Sequence, residues 1–470
     1  MVSTFPTDAE ASPSGADIQN STRYLRFDSD SPNQRLLPMT ATVNDADHLE
    51  VGGGDVVSLV QEFGSPLYIL DEQTLRLAAQ QYREALKQYY PGESLVVYAS
   101  KAWNCLAVCA IALQENIAID VVSGGELYTA LQAGATGEML YFHGNNKSAE
   151  ELMMGLEADC RFMVDNWHEL EMLAELAQTQ GKTATILLRL TPGIECHTHD
   201  YIRTGHIDSK FGFDPDQLED VFKRVSQLSQ LRCIGLHAHI GSQIFELQPH
   251  DDLAGVMLKW YKKAIGYGLP MSELDVGGGL GIRYTESDDP PSIDEWIQTV
   301  CKSVVAACEA QSVPMPRLLC EPGRSMIGSA CVTAYTVGSQ KTVPGIRRYV
   351  AVDGGMSDNP RPITYQSVYR ALGASQMSAP LSETATLAGK HCESGDVVIH
   401  GAQLPSLAAG DVVVVPATGA YNYSMASNYN RVPRPAAVLV NQGQAQLILK
   451  RETYQSLIQQ DCLPDRLQLG

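Results

Sequence analysis

From about residue 65 the sequence alternates short apolar runs with helical patterns, and that order is the strongest constraint on its fold. The runs are "SLVVYAS", "IAIDVVS", "EMLYFHG", "CRFMVDN", "TATILLRL", "LRCIGLHAHIG", "ELDVGGG" and "RLLCEP". Between them lie stretches such as "GGELYTALQAG", "WHELEMLAELAQTQ" and "DQLEDVFKRVSQL", with apolar residues at helical spacing. Strands that are apolar throughout, each followed by a helix, belong in a parallel sheet covered by helices. Eight β-then-α units over about 250 residues match a (β/α)8 barrel, expected here over residues 71–330.

After residue 330 the texture changes. "DVVIHG", "DVVVVPATGAY", "AAVLVN" and "AQLILKR" are strand runs split by turn residues with little helix between them. Residues 331–470 are therefore expected to form a β sandwich or small β barrel. The segment 41–70, with "DVVSLVQEFGSPLYILD", is expected to join it. Residues 1–40 are rich in Ser, Asp, Pro and Asn and are expected to have little order.

Composition removes several function classes. A formal net charge of −20 leaves no electropositive footprint for nucleic acid. The basic residues are scattered, which argues against a membrane surface, and no run of 18 apolar residues suggests a span. The eleven cysteines include no CxxC pair and sit mostly in apolar segments, as buried thiols in a reducing compartment do. The first twenty residues lack the basic start and apolar core of a secretory signal. A cytoplasmic location is expected.

In such barrels chemistry lies at the C-terminal strand ends. The first strand ends in Lys101, the sixth in "HAHIGSQ", the seventh in "VGGGLG" and the eighth in "EPGR". Alternation puts Leu95, Val97, Ala99 and Lys101 on one face, the core side, where desolvation favours a neutral amine; taken alone, a lysine snorkelling from a strand end explains it as well. Gly277, Gly278, Gly279 and Gly281 suit either a phosphate cradle or a tight turn, and Gly241 and Ser242 could add donors. His237 and His239 share a face, as metal ligands do, with His197, His199 and Asp200 of "HTHD" as further donors; a flat imidazole could equally stack on an aromatic cofactor. Glu321 and Arg324 could form a structural salt bridge, or Glu321 could keep a pyridine nitrogen protonated. Lysine, phosphate cradle, stacking histidine and acidic nitrogen partner together make up a pyridoxal 5′-phosphate site. No metal is expected.

The motifs "YASKA", "HAHIGSQ", "VGGGLG", "EPGR", "NPRPITY", "CESGD" and "GAYNYSMASNYN" resemble those of the diaminopimelate decarboxylases, fold-type III pyridoxal-phosphate enzymes, over about residues 65–440. The resemblance implies an alanine-racemase-type barrel with a C-terminal β domain, in a homodimer with shared sites. It implies that Lys101 holds the cofactor, His239 stacks on it and Glu321 pairs with its ring nitrogen. Ser242, Gly277, Gly278 and Gly279 would cradle its phosphate, and Gly323 and Arg324 would also bind the cofactor. Arg324, Arg361 and Tyr365 would hold substrate carboxylates, Tyr421 would touch cofactor and substrate, and Glu393 would take the distal ammonium. Cys392 would donate a proton, reaching the site from the partner chain together with Glu393. The implied reaction turns meso-2,6-diaminopimelate into L-lysine and CO2.

Rival readings are an alanine racemase, an ornithine- or arginine-type decarboxylase, and a non-catalytic pyridoxal-phosphate-binding homologue. Glu321 argues against the first, which as a family sets an arginine at that nitrogen. Arg361 favours a substrate with two acidic ends over the second, and a non-catalytic homologue would need neither Cys392 nor Arg361.

Overall fold

The structure, a computed structural model, describes residues 20–27, 29–194 and 209–468. Eight parallel strands close into a barrel: Ser94–Ala99, Ala118–Val121, Leu140–Phe142, Arg161–Val164, Ala184–Arg189, Leu231–His237, Glu273–Asp275 and Arg317–Cys320. The eighth pairs with the first in the register Leu319 to Leu95, so no edge remains. Alternation sorts the side chains. Leu95, Val97, Tyr141, Met163, Leu187 and Leu319 fill the interior, while Val96, Tyr98 and Ile119 face the helices.

The sequence expectation of eight β-then-α units is corrected at one place. The eighth strand is followed only by the short helix Arg324–Ile327 before the chain leaves the barrel. Its place beside helix Ile293–Gln311 is taken by Glu72–Tyr89, which precedes the first strand. The Asp71 carboxylate starts that helix by accepting from the Gln73 and Thr74 amides. Tyr82 packs edge-on against Trp296 across the pair.

The C-terminal sheet runs in the order Val397–Leu404, Glu383–Ala388, Arg347–Val352, Cys331–Val343, Leu67–Asp71, Ala436–Asn441, Gln444–Leu449. Leu67–Asp71 thus lies between strands from far along the chain, antiparallel to Cys331–Val343 and parallel to Ala436–Asn441.

The expectation of little order over residues 1–40 is corrected from Asn20 onward. Short 3-10 turns at Ser21–Leu25 and Pro32–Gln34 bury Tyr24, Asn33, Leu36 and Leu37. Asn33 Nδ2 donates to the carbonyls of Gly281 (3.1 Å) and Pro291 (2.8 Å), and Ser329 Oγ donates to Pro32 O. The polar side chains that make this stretch look unstructured by composition instead find backbone partners on the barrel. Among the described residues no helix is long and apolar enough to cross a membrane. None of the described cysteines is in a disulfide.

Candidate active site at the barrel mouth

The first strand stops at Ala99, and a 3-10 turn, Ser100–Ala102, carries Lys101. Ser100, Ala102 and Trp103 are buried while Lys101 itself is exposed. Below it, Leu95 and Val97 point into the barrel, as the alternation predicts. The predicted desolvation of the amine is not found, because at this height the packed interior has opened into the mouth. Both domains hold the turn. Ala99 N donates to Pro322 O (3.1 Å), Tyr421 N donates to Ala102 O (2.8 Å), and Trp103 stacks on Tyr423.

Glu321 closes the eighth strand and is buried. His237 Nε2 hydrogen-bonds its Oε2 at 3.1 Å, and His143 Nε2 lies 2.7 Å from its Oε1. Burial alone would raise this carboxyl, but the two histidines outweigh it and hold it well below the usual carboxylate range. Asp275 shows the opposite balance. Burial, then the nearby Glu321 charge, pushes its carboxyl well above the usual range, and its Oδ1 accepts from Gly277 N.

The paired-histidine reading is corrected. His237 turns to Glu321, whereas His239 Nδ1 accepts from Gly278 N at 3.2 Å, so the two serve different partners. Burial, then the Lys101 charge, holds His239 well below the imidazole range and leaves a neutral flat ring at the mouth. His197, His199 and Asp200 lie outside the described residues. Sequence reasoning missed His143, although it ends the third strand in "EMLYFHG" and the strand-end rule that selected Lys101 also reaches it. The ligand atoms of His143, His237 and Glu321 lie within 4.8 Å of one another, close enough for one divalent cation to bridge.

The glycine turn is shaped for close approach. Gly277 and Gly279 have φ of +66° and +128°, a region that favours glycine. A Cβ on Gly278 would stand 2.1 Å from Glu321 O, and one on Gly323 would crowd Ala99. Gly278→Ala is therefore expected to lose at least about 1–3 kcal/mol of stability as the turn shifts. A melting temperature equal to the parent's would contradict that packing.

Two arginines meet at the rings of Tyr284 and Tyr421. Arg324 donates from Nε (3.2 Å) and Nη2 (2.9 Å) to Ser242 Oγ and from Nη1 to the Tyr284 hydroxyl (2.7 Å). Its guanidinium lies 4.8 Å from the Tyr421 ring centre. Arg361 comes from the β domain on the short helix Arg361–Tyr365. Its guanidinium lies 5.5 to 5.7 Å from the rings of Tyr284, Tyr365 and Tyr421. Both arginines are buried, and neither forms an ion pair among the described residues. A buried cation without an acid partner is costly unless an anion arrives to neutralise it. Tyr284 also went unnoticed in the sequence, since it lies in a loop without strand or helix periodicity.

The structure thus brings together Lys101, His239, Ser242, Gly277, Gly278, Gly279, Glu321, Gly323, Arg324, Arg361, Tyr365 and Tyr421. Cys392 and Glu393 stand apart, exposed on the loop between strands Glu383–Ala388 and Val397–Leu404. There Cys392 N donates to Asn430 Oδ1 and Glu393 Oε1 accepts from Gly395 N. Among the described residues, no hydrogen bond or ion pair ties either side chain to the mouth.

The donor set fits pyridoxal 5′-phosphate. It offers an exposed amine, an anionic carboxylate, a turn too tight for side chains and a buried arginine with no acid partner among the described residues. Residues 73–328 match the family described as pyridoxal-dependent decarboxylase, pyridoxal binding domain. The chain is 62% identical over 447 residues to a diaminopimelate decarboxylase of Synechocystis sp., covering 93% of this chain and 95% of that one. It is 46% identical to the Bacillus subtilis diaminopimelate decarboxylase, covering 91% and 98% of the two chains. Among solved structures it resembles diaminopimelate decarboxylase from M. jannaschii in co-complex with L-lysine, with a TM-score of 0.87 and 32% identity over 93% of this chain and all of that one.

Proposed function

Because this chain belongs to the diaminopimelate decarboxylases, a family of pyridoxal-dependent enzymes, we propose that its barrel mouth releases CO2 from meso-2,6-diaminopimelate and returns L-lysine. The observation that carries the reading is the pair of buried arginines that have no acid partner among the described residues. Such a site calls for two anions, and a phosphorylated cofactor and a substrate with a carboxylate at its far end supply both. Bound pyridoxal phosphate supplies the electron sink that decarboxylation needs.

The chain's own residues divide the remaining work. The Lys101 amine would hold the cofactor and give up its place to the substrate amine. Glu321 would keep a bound ring nitrogen protonated, and His239 would supply a flat face for the ring. Ser242, Gly277, Gly278, Gly279, Gly323 and Arg324 enclose the phosphate. Arg361 and Tyr365 take the distal carboxylate, for which a guanidinium fork is well matched, and Tyr421 lines both pockets. Arg324 also contacts a substrate carboxylate.

Two groups come from a second copy of the chain. Cys392 returns a proton to the carbon that lost CO2, and Glu393 pairs with the distal ammonium. Their exposure, with no tie to their own barrel mouth among the described residues, supports a homodimer whose sites are shared.

The test is CO2 release by the purified protein from meso-diaminopimelate, compared with ornithine and arginine. Release from diaminopimelate alone is expected. A preference for ornithine or arginine would overturn the assignment of Arg361 to a second carboxylate. Chelation is expected to leave the rate unchanged, because the reaction uses no metal. Loss of activity on chelation, restored by zinc and not by fresh pyridoxal phosphate, would instead put a cation among His143, His237 and Glu321.

A further inference from the structure

Besides Lys101, a second lysine lies close to the mouth, and it is fully engaged. Lys147 Nζ donates to Gly144 O (2.8 Å), Met163 O (2.9 Å) and Glu169 Oε1 (2.7 Å). Glu169 Oε2 accepts from Asp165 N (3.1 Å), so the pair ties together the loops that follow the third and fourth strands. The two side chains are only 1% and 2% exposed. A buried ion pair adds little stability but fixes a geometry. The geometry fixed here is that of the turn at Gly144, whose φ is +114°. The residue before it is His143.

His143 is anchored on its backbone as well, since its amide donates to Val121 O at 2.8 Å. Its Nε2 lies 2.7 Å from Glu321 Oε1 and 3.8 Å from Asp120 Oδ1. Its ring meets that of His237 edge-on at 4.9 Å, and His237 holds the other oxygen of Glu321. Two further buried carboxylates, Asp120 and Asp275, lie near Glu321, and burial first, with the Glu321 charge adding to it, raises both. Only Glu321 has an imidazole on each oxygen.

We propose that His143 is a positioning residue which, clamped by Lys147 and Glu169, fixes Glu321 as the charged carboxylate of the barrel mouth. This rests on the reading of Glu321 as partner of the cofactor's ring nitrogen. The opposed shifts of Glu321 and Asp275 agree with it. Lys147 acts on the cofactor only through this chain of contacts, at two removes.

The test titrates apoenzyme with pyridoxal phosphate, reading affinity by quenching of protein fluorescence and the bound cofactor by its visible spectrum. His143→Leu removes the polar atom at similar volume. It is expected to weaken cofactor affinity about 10- to 100-fold, the scale of leaving a buried charge short of one close polar partner. The visible maximum should shift and kcat should fall, with KM for substrate little changed at saturating cofactor. His143→Gln, whose amide nitrogen reaches about as far as Nε2, should recover most of the affinity and the parent spectrum. Should the leucine variant fail to fold, His143→Asn, too short to reach Oε1, carries the same expectation.

Glu321→Gln separates the two layers of the argument. If it binds cofactor with parental affinity and spectrum, the reading of Glu321 fails. If it is impaired while folded His143→Leu or His143→Asn matches the parent, the role of His143 fails. Failure of glutamine to recover what leucine loses overturns that role too.

Discussion

Lys101→Ala is expected to abolish covalent capture of pyridoxal phosphate and to slow turnover by at least about 10³-fold, the scale of losing one positioned proton-transfer group. The amine would be missing both as cofactor anchor and as the group that substrate displaces. Borohydride reduction followed by peptide mapping reads the first effect directly: the parent should carry the label at residue 101 and the variant nowhere. The structure weighs the alternatives. Lys147 is committed to Glu169 and two carbonyls and has no path to the mouth without breaking that pair. Lys210 lies with its Nζ 4.9 Å from the Phe211 ring centre. A reducible adduct surviving in Lys101→Ala would overturn the assignment, and Lys210 would be the next lysine to map.

Mixing inactive Lys101→Ala with inactive Cys392→Ala protein is expected to restore up to about a quarter of parental activity. Random exchange makes about half of the dimers mixed, and two-fold symmetry leaves each mixed dimer one site with both residues intact. The expectation follows from the exposure of the Cys392 side chain in its own chain, where the Asn430 side chain holds the Cys392 amide. If each subunit completed its own site, no mixture could recover. Verified heterodimers without activity would therefore end the shared-site reading. Glu393→Gln extends the test, because a hydrogen-bonded charge partner removed from a desolvated site costs about 2–5 kcal/mol. It should depress kcat/KM for diaminopimelate while leaving cofactor affinity at the parental value.

The barrel was legible because its eight strands are buried on both faces and so read as uninterrupted apolar runs, with polar residues only where each run ends. Lys101, His237 and Glu321 stood out for that reason. What the sequence could not show was which strand ends face one another. His143 and Glu321 come from strands three and eight and meet only because the barrel closes. The same closure sends His237 to Glu321 and His239 to Gly278, although a period-two pattern treats the two histidines alike. Asn33 and Ser31 were misread for a different reason. Their composition signals disorder, and only the open carbonyls and amides of a distant loop and helix start show that they have partners. Tyr284 and Arg361 reach the mouth from loops and a five-residue helix, where no periodicity marks the residues that point inward.

Strand Leu67–Asp71 is made early and flanked by partners made late. As the polypeptide leaves the ribosome, this segment emerges before any barrel strand, yet one neighbour begins at Cys331 and the other at Ala436. Until they arrive, both of its edges offer unpaired amides and carbonyls to any passing strand. Helix Glu72–Tyr89, which fills the last place in the barrel wall, starts directly from that strand. A nascent or truncated chain ending before Ala436 would therefore present an open edge next to an almost complete barrel. Such products should be recovered bound to holding chaperones or in aggregates, and the barrel should resist expression as a separate piece.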